Sequence, residues 1–481
     1  MHPTTLDSGA NMRNLLGKLR LTGFIARLAR DTRGVSAVVF AISFAVMTPM
    51  ALSVFDVYQS TEQRGKLQDA LDAAALYAAK STATDTPGIS AAGTKALNAN
   101  LQLITGATLT SSSFVLVPSN GDNKVVAQAQ VALPAFAPLA FTHSPVTVNS
   151  EVTRPGNNLE VSLVLDNTGS MSGSPMTSLQ AAANQLIDLV VSPTQSPYYS
   201  KLAIVPYSNS VNAGAYANSV RGVPVVANPV LQAACINQPG CTKMQFTSFT
   251  GATQTFTNSS CVSERTGAEA FTDASYTTAK VGWVYPPPAS QGNNCITAVV
   301  QPLSSDKTAL HNTIGTLTAN GSTAGALGVA WGWYVISPNW SSLFPAASQP
   351  ATYGTPHLIK AMILMTDGDF NTTYCKGVIS GVTSATDGSS GSQTYHSACG
   401  SPNGNAFAQA QALCDAMKAA PNNVVVYTVG FLHGAPQPQA QAILSNCATD
   451  ASHVYFPTNG TSLQVAFQQI AADLNKLRIS H

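Results

Sequence analysis

From Gly34 to Phe55 the chain reads GVSAVVFAISFAVMTPMALSVF, 22 residues without a charge. As a helix they span about 33 Å, enough for a hydrocarbon core of about 30 Å. Pro49 inside the run predicts a kink. A buried core helix is one alternative and a cleaved signal peptide another. The latter has a shorter apolar region and a small-residue cleavage site, whereas this run continues through Asp56, Val57, Tyr58 and Gln59. Farther on, Leu67, Leu71, Ala74 or Ala75, and Ala78 recur at three and four residues, so Thr61–Lys80 is expected to prolong the same helix. Pro87 and Gly88 punctuate it. Residues 112–153 switch to strand patterning, in SSFVLVP, KVVAQAQVAL and PVTVNSEVT. Ser119-Asn120-Gly121-Asp122 between the first two is a hairpin signal. A long helix leaning on a few antiparallel strands makes a small α+β stalk.

After Arg154-Pro155-Gly156-Asn157-Asn158, a linker by composition, strands and helices alternate. Strands are expected at Leu159–Leu165, Lys201–Pro206, Leu358–Met365, Asn423–Val429 and His453–Phe456. Helices are expected at Ser178–Val191, 307–318, 323–336, Ala406–Ala419 and Leu463–Leu477. This grammar predicts an α/β domain, a doubly wound parallel sheet covered on both faces. Two stretches interrupt it, about 210–300 and 371–404, and both read as loops or small excursions at the rim of the sheet. The expected order is a basic leader, 1–33, a transmembrane helix, 34–55, a helix-plus-strand stalk, 56–155, and the α/β domain, 156–481.

Charge orients this arrangement. Only 9% of residues are charged, against about 25% in ordinary soluble proteins. The net charge of +1 leaves no electrostatic footprint for nucleic acid. Arg13, Lys18, Arg20, Arg27, Arg30 and Arg33, against Asp7 and Asp31, give residues 1–33 a net of +4. The positive-inside rule places that leader in the cytoplasm and the bulk of the chain outside. Leu15, Leu16, Leu19, Phe24 and Leu28 suit a short helix on the inner leaflet. All eight cysteines follow the apolar run, and nearest-neighbour disulfides are expected: Cys235–Cys241, Cys261–Cys295, Cys375–Cys399 and Cys414–Cys447. Eight cysteines allow 105 pairings. Position supports the last pair, because Cys414 lies on the helix before strand Asn423–Val429 and Cys447 just past the helix after it. No spacing suits a structural zinc site.

The candidate chemistry lies at strand ends, where open parallel sheets bind ligands. The first strand runs into Asp166-Asn167-Thr168-Gly169-Ser170-Met171-Ser172, and a later one into Thr366-Asp367-Gly368. Between them Asn320-Gly321-Ser322-Thr323 opens a helix. Two carboxylates and several hydroxyls, all oxygen, suit a hard octahedral cation such as Mg²⁺. Alternatively, Asp166, Thr168 and Thr323 merely cap helices. A phosphoaspartyl hydrolase with Asp166 as nucleophile would need an acid where Thr168 stands, and Ser170 and Ser172 lack the G-x-S-x-G of a serine hydrolase.

These residues resemble the metal-ion-dependent adhesion site, or MIDAS, of von Willebrand factor type A domains: D-x-S-x-S, a distant Thr, then a distant Asp. Asp166, Thr168 and Ser170 match the first element, with Thr168 in place of the first Ser. Thr323 matches the second and Asp367 the third. The resemblance implies bound Mg²⁺ or Mn²⁺ that completes its coordination with a carboxylate from a protein partner. Arg33 to Phe40, the apolar run with Pro49, Asp56, and Lys66 to Ala75 resemble the amino terminus of TadE/TadG-like pilus-assembly proteins. Ala330-Trp331-Gly332-Trp333 with Ser337-Pro338, and Cys414 with Cys447-Ala448, are similar to the carboxyl half of the TadG branch. A prepilin cleavage site has Glu five residues after the cut, and the fifth residue after Gly34 is Val39, so an uncleaved anchor is expected. The implied function is a non-enzymatic, inner-membrane protein that assembles or anchors Flp-type pili, with a pilus or envelope component as partner. A metal-dependent adhesin or matrix-binding protein outside a pilus system is the alternative.

Overall fold

The structure, a computed structural model, describes residues 35–81, 83, 85–101, 108–117, 123–132, 145–154, 156–223, 242–381, 392–432 and 438–479. The basic leader, Gly34, the turn at Ser119–Asp122, and Cys235 and Cys241 lie outside them. Two compact units emerge, one from Met1–Val117 and Lys124–Thr153, the other containing Arg154–His481.

In the first unit a single 46-residue helix, α1 (Val35–Lys80), carries the apolar run and its continuation, with Pro49 inside. It is long and apolar enough to cross a membrane, and its most apolar stretch is not buried against protein. Phe40 is 71% and Met50 68% exposed. The outer half behaves differently. Leu67, Leu71, Ala74, Ala75 and Ala78 form one buried stripe. That stripe packs with Ile89 and Leu97 of α2 (Thr86–Leu101) and with Phe114, Val125, Ala127, Ala129 and Val131 of a three-stranded sheet. The strands are β1 (Thr108–Val117), β2 (Asn123–Ala132) and β3 (Val146–Arg154), in the order β1-β2-β3. β1 and β2 are antiparallel, with Val117 opposite Lys124.

Helix α2 corrects the sequence reading, which took Pro87 and Gly88 as punctuation. Pro is tolerated in a first helical turn because its missing N–H has no intrahelical acceptor there. Asp85 caps the helix, its Oδ1 accepting the Gly88 amide at 3.0 Å.

The second unit is built on a six-stranded sheet, order β11-β5-β4-β12-β15-β16. These are β4 (Asn158–Asp166), β5 (Ser200–Tyr207), β11 (Gln301–Ser304), β12 (Leu358–Thr366), β15 (Val425–Gly430) and β16 (Val454–Tyr455). All pairs are parallel except β11 with β5. The antiparallel edge strand departs from the all-parallel expectation. It is short, carries Pro302 and sits at the edge, where a residue without an N–H is acceptable.

Apolar side chains leave β4 and β12 alternately toward two cores. Val161, Leu163, Leu165, Ile363 and Met365 meet α3 (Ser174–Val190), α5 (Lys307–Gly315) and α9 (Gly460–Ile479). Val164, Met362 and Leu364 meet α6 (Gly325–Tyr334), α7 (Ala406–Lys418) and α8 (Pro438–Cys447). Helices thus cover both faces, and each fully buried Leu or Ile contributes about 1.5–3 kcal/mol. Helix α6 lies close because its sheet-facing positions are glycines. A Cβ on Gly328 would come 2.7 Å from the Tyr207 ring, and one on Gly332 would come 2.4 Å from Val164.

The 210–300 stretch is more than a rim excursion. Its strands β6 (Val211–Asn212), β9 (Cys261–Ser263) and β10 (Gly282–Trp283) form a small sheet, order β10-β9-β6. Val262, Val281, Val284 and Ile296 join the core that holds Trp331. Arg265 lies over Tyr334 and Trp340 at 4.9 and 5.0 Å, and the Tyr353 hydroxyl donates to Asp273 at 2.8 Å. Strands of two or three residues are too short to show a period, so the sequence alone reads as loops there. The segment also holds the short helix α4 (Ala217–Arg221) and a hairpin of β7 (Lys243–Thr247) and β8 (Thr253–Thr257), and in the second stretch β13 (Tyr374–Cys375) pairs with β14 (Val378–Ile379). Cys261–Cys295, Cys375–Cys399 and Cys414–Cys447 are disulfides, with Cα atoms 5.6, 6.0 and 5.1 Å apart.

Candidate metal centre

Asp166 is the last residue of β4, and Asp367 directly follows β12, the parallel neighbour. Both carboxylates therefore emerge at the carboxyl edge of the sheet, and both residues are buried, at 0% and 1% exposed. Asp166 Oδ1 accepts the Thr168 amide at 2.8 Å. Its Oδ2 accepts the Thr366 hydroxyl at 2.7 Å, the Tyr207 hydroxyl at 3.2 Å and the Asp367 amide at 3.4 Å. Asp367 Oδ1 accepts the Ser170 hydroxyl at 2.8 Å and the Thr168 hydroxyl at 3.4 Å. Thr168 and Ser170 share a hydrogen bond of 3.0 Å. Thr168 is buried and Ser170 exposed, so the cluster opens to solvent at Ser170.

Thr323 reaches the same edge through its backbone. Its amide donates to Asn371 Oδ1 at 2.8 Å and its carbonyl accepts the Asn371 amide at 2.9 Å. The turn before it is tied to the first loop, Gly169 N–H to Gly321 carbonyl at 2.8 Å and Asn320 N–H to Asn167 carbonyl at 2.7 Å. The structure thus joins the loops carrying all five sequence-derived residues, and brings Thr168, Ser170 and Asp367 into direct contact.

The helix-cap alternative fails on geometry. The turn Gly169–Met171 starts after Thr168 with no side-chain cap, and α3 is preceded by Gly173. Helix α6 begins at Gly325 after Ala324, two residues later than expected, so Thr323 does not cap it.

Burial acts on both acids of the cluster. The Asp166 carboxyl is pushed up to about 7, first by burial, then by the charge of Asp367, against the hydrogen bonds from Thr168 and Thr366. Asp367 is also raised by burial, with Ser170 and Thr168 opposing. Tyr207 is held well above its ordinary value by burial and by Asp166. A pair of buried acids flanked by neutral hydroxyls is a hard-oxygen donor set, and it fits a small divalent cation. Among the described residues there is no cluster of three or more His, Cys, Asp or Glu placed to hold a metal ion.

Sequence reading missed the supporting residues. Tyr207 ends β5, one residue past the strand expected at Lys201–Pro206. Thr366 sits in the Thr-Asp-Gly segment but outside the quoted pattern. Asn371 carries no periodic signal at all.

The chain is similar to several solved structures. The vWF domain of the type V pili tip protein Mfa5 from Porphyromonas gingivalis covers 68% of this chain and 97% of its own, at 12% identity and TM-score 0.36. The pilus adhesin SpaC from Lactobacillus rhamnosus GG covers 77% of this chain, which spans 34% of SpaC, at 12% identity and TM-score 0.32. Proximal thread matrix protein 1 from the mussel byssus, with a zinc-occupied MIDAS motif, covers 66% of this chain and 48% of its own, at 12% identity and TM-score 0.31. No curated protein matches the chain. Residues 34–81, the apolar half of α1 and its continuation, match the family described as putative Flp pilus-assembly TadE/G-like.

Proposed function

We propose that the second unit is a doubly wound, von Willebrand factor A-like domain that holds Mg²⁺ or Mn²⁺ and captures a carboxylate on a protein partner, in the service of Flp-type pilus assembly and surface adherence. The observation that carries this function is the contact of the Thr168 and Ser170 hydroxyls with Asp367 beside the buried carboxylate of Asp166. Thr168, Ser170 and Thr323 would hold the ion through hydroxyls, and Asp166 and Asp367 would supply charge. When bound, the ion supplies an electrophilic centre for an outside carboxylate. Two carboxylates balance a divalent charge, and neutral hydroxyls add none, so an acidic partner group remains attractive to it.

Binding suits this site better than catalysis. An acid near 7 is the right strength for a general base. Asp166, however, is fully buried, and both its oxygens already accept hydrogen bonds. The pilus setting is supported by the family match of residues 34–81. The same helix would anchor the chain once in the inner membrane, with the basic leader cytoplasmic and the bulk periplasmic.

Calorimetry of the full chain in detergent tests the ion site. Wild type should bind Mg²⁺ and Mn²⁺, and Asp166→Ala should abolish both binding and partner capture. Ser170→Ala, at the exposed mouth, should weaken binding without disturbing the fold. Equal affinity in all three proteins would refute the site.

A further inference from the structure

Thr323 stands on the turn Asn320-Gly321-Ser322, not on a regular element, and such a turn keeps its shape only where its polar groups are bonded to something rigid. Its back is held by the 210–300 segment. Asn293 Oδ1 accepts the Ser322 amide at 2.7 Å, and Asn293 carbonyl accepts Asn209 Nδ2 at 2.9 Å. Asn294 Oδ1 accepts Asn320 Nδ2. Asn209 presses on Gly321, whose φ is +82°. A Cβ there would sit 2.5 Å from Asn209 Oδ1.

The next residue along is Cys295, bonded to Cys261. Cys261 lies on β9, opposite Asn212 of β6. Asn212 Nδ2 donates to the Ile296 carbonyl at 2.7 Å. The segment Asn293–Ile296 is thus fixed at one end by a covalent bond and a strand, and at the other it grips the turn before Thr323. Asn293 has φ +52°, which Asn tolerates better than most residues.

We propose that Asn293, Asn294 and the Cys261–Cys295 disulfide form a brace that positions the Thr323 turn for ion binding. The brace presupposes the ion site proposed above. Its members touch no ion and act as positioning residues through the backbone next to Thr323. Outer partners of this kind typically change metal affinity by about 10–100-fold when removed. The brace also gives the 210–300 segment a role that its core packing alone does not require.

The test uses the full chain in detergent, with Mg²⁺ calorimetry and hydrogen exchange at the Ser322 amide. Asn293→Gly deletes the acceptor while allowing the positive φ. It should weaken Mg²⁺ binding about 10–100-fold and speed exchange at Ser322. Asn293→Asp keeps an acceptor and should recover both. The Cys261→Ala/Cys295→Ala protein, checked by thermal melting to be folded, should shift both readouts in the direction of Asn293→Gly. Normal Mg²⁺ affinity in Asn293→Gly, beside lost binding in Asp166→Ala, overturns the brace alone. Normal affinity in Asp166→Ala overturns the ion site and the brace together.

Discussion

The Asp367 amide lies 3.4 Å from Asp166 Oδ2, so the backbone of one acid solvates the carboxylate of the other. The pair sits on adjacent parallel strands, and the charge of Asp367 makes Asp166 harder to ionise. This has a consequence for stability. An unfolded Asp carboxyl keeps its ordinary 3.8, whereas folded Asp166 stands at about 7. Between those values the folded state binds more protons than the unfolded one. Its contribution is therefore present below about pH 4 and is lost as pH rises through 7. Glu264, raised to about 7 by burial, acts in the same direction. Metal-free protein should melt lower at pH 8 than at pH 5, and Asp166→Asn should shrink that difference. Saturating Mg²⁺, which favours the ionised pair, should shrink it too. A metal-free wild type whose pH dependence matched Asp166→Asn would contradict the assignment.

The regular sheet and the site loops were legible because they obey strong local rules. Strand β4 alternates apolar side chains into two cores, and its polar end had to lie at an edge. Asp166 and Asp367 could be placed at strand ends for that reason. Helix α2 was missed because Pro87 signals a break in one context and a first helical turn in another; Asp85 as cap was the cue. Strand β11 was missed because four residues with a proline carry no period. The Asn293–Ser322 contact was invisible because side-chain-to-backbone bonds across a long loop leave no pattern in sequence.

Gly332 offers a test of packing against helix propensity. In an exposed helix, Gly→Ala gains about 1 kcal/mol. Here the added Cβ would lie 2.4 Å from Val164 Cγ2 and 2.8 Å from Met362 Sδ, and the strand residue cannot swing away. Overpacking costs about 1–3 kcal/mol. Gly332→Ala should therefore be net destabilising, by up to about 2 kcal/mol in urea unfolding. A stabilised variant would mean that α6 does not sit this close to the sheet.

Cys414 and Cys447 join α7 to α8 across a sequence separation of 33. In the chain-entropy description a loop of that size stabilises by about 3–4 kcal/mol. Replacing both residues with Ala should lower unfolding stability by that order, with a small further change from packing. Peptide mapping without reduction should recover the three described pairs, Cys261–Cys295, Cys375–Cys399 and Cys414–Cys447. Finding Cys414 and Cys447 as free thiols in protein purified from envelopes would rule this pairing out.

The proposed topology has two independent supports. The leader carries a net of +4, ahead of a helix whose apolar half buries nothing against protein. On the topology proposed above, cations retained in the cytoplasm would direct the rest of the chain outward. The disulfides agree with that proposal, because bonds such as Cys261–Cys295 and Cys375–Cys399 are characteristic of an oxidising compartment. The reverse orientation would leave those pairs in a reducing cytoplasm. A reporter that works only outside the cytoplasm should be active when fused after His481 and silent when fused before Arg33. Activity at the leader with silence at the carboxyl terminus would place the ion site on the wrong side of the membrane for any periplasmic partner.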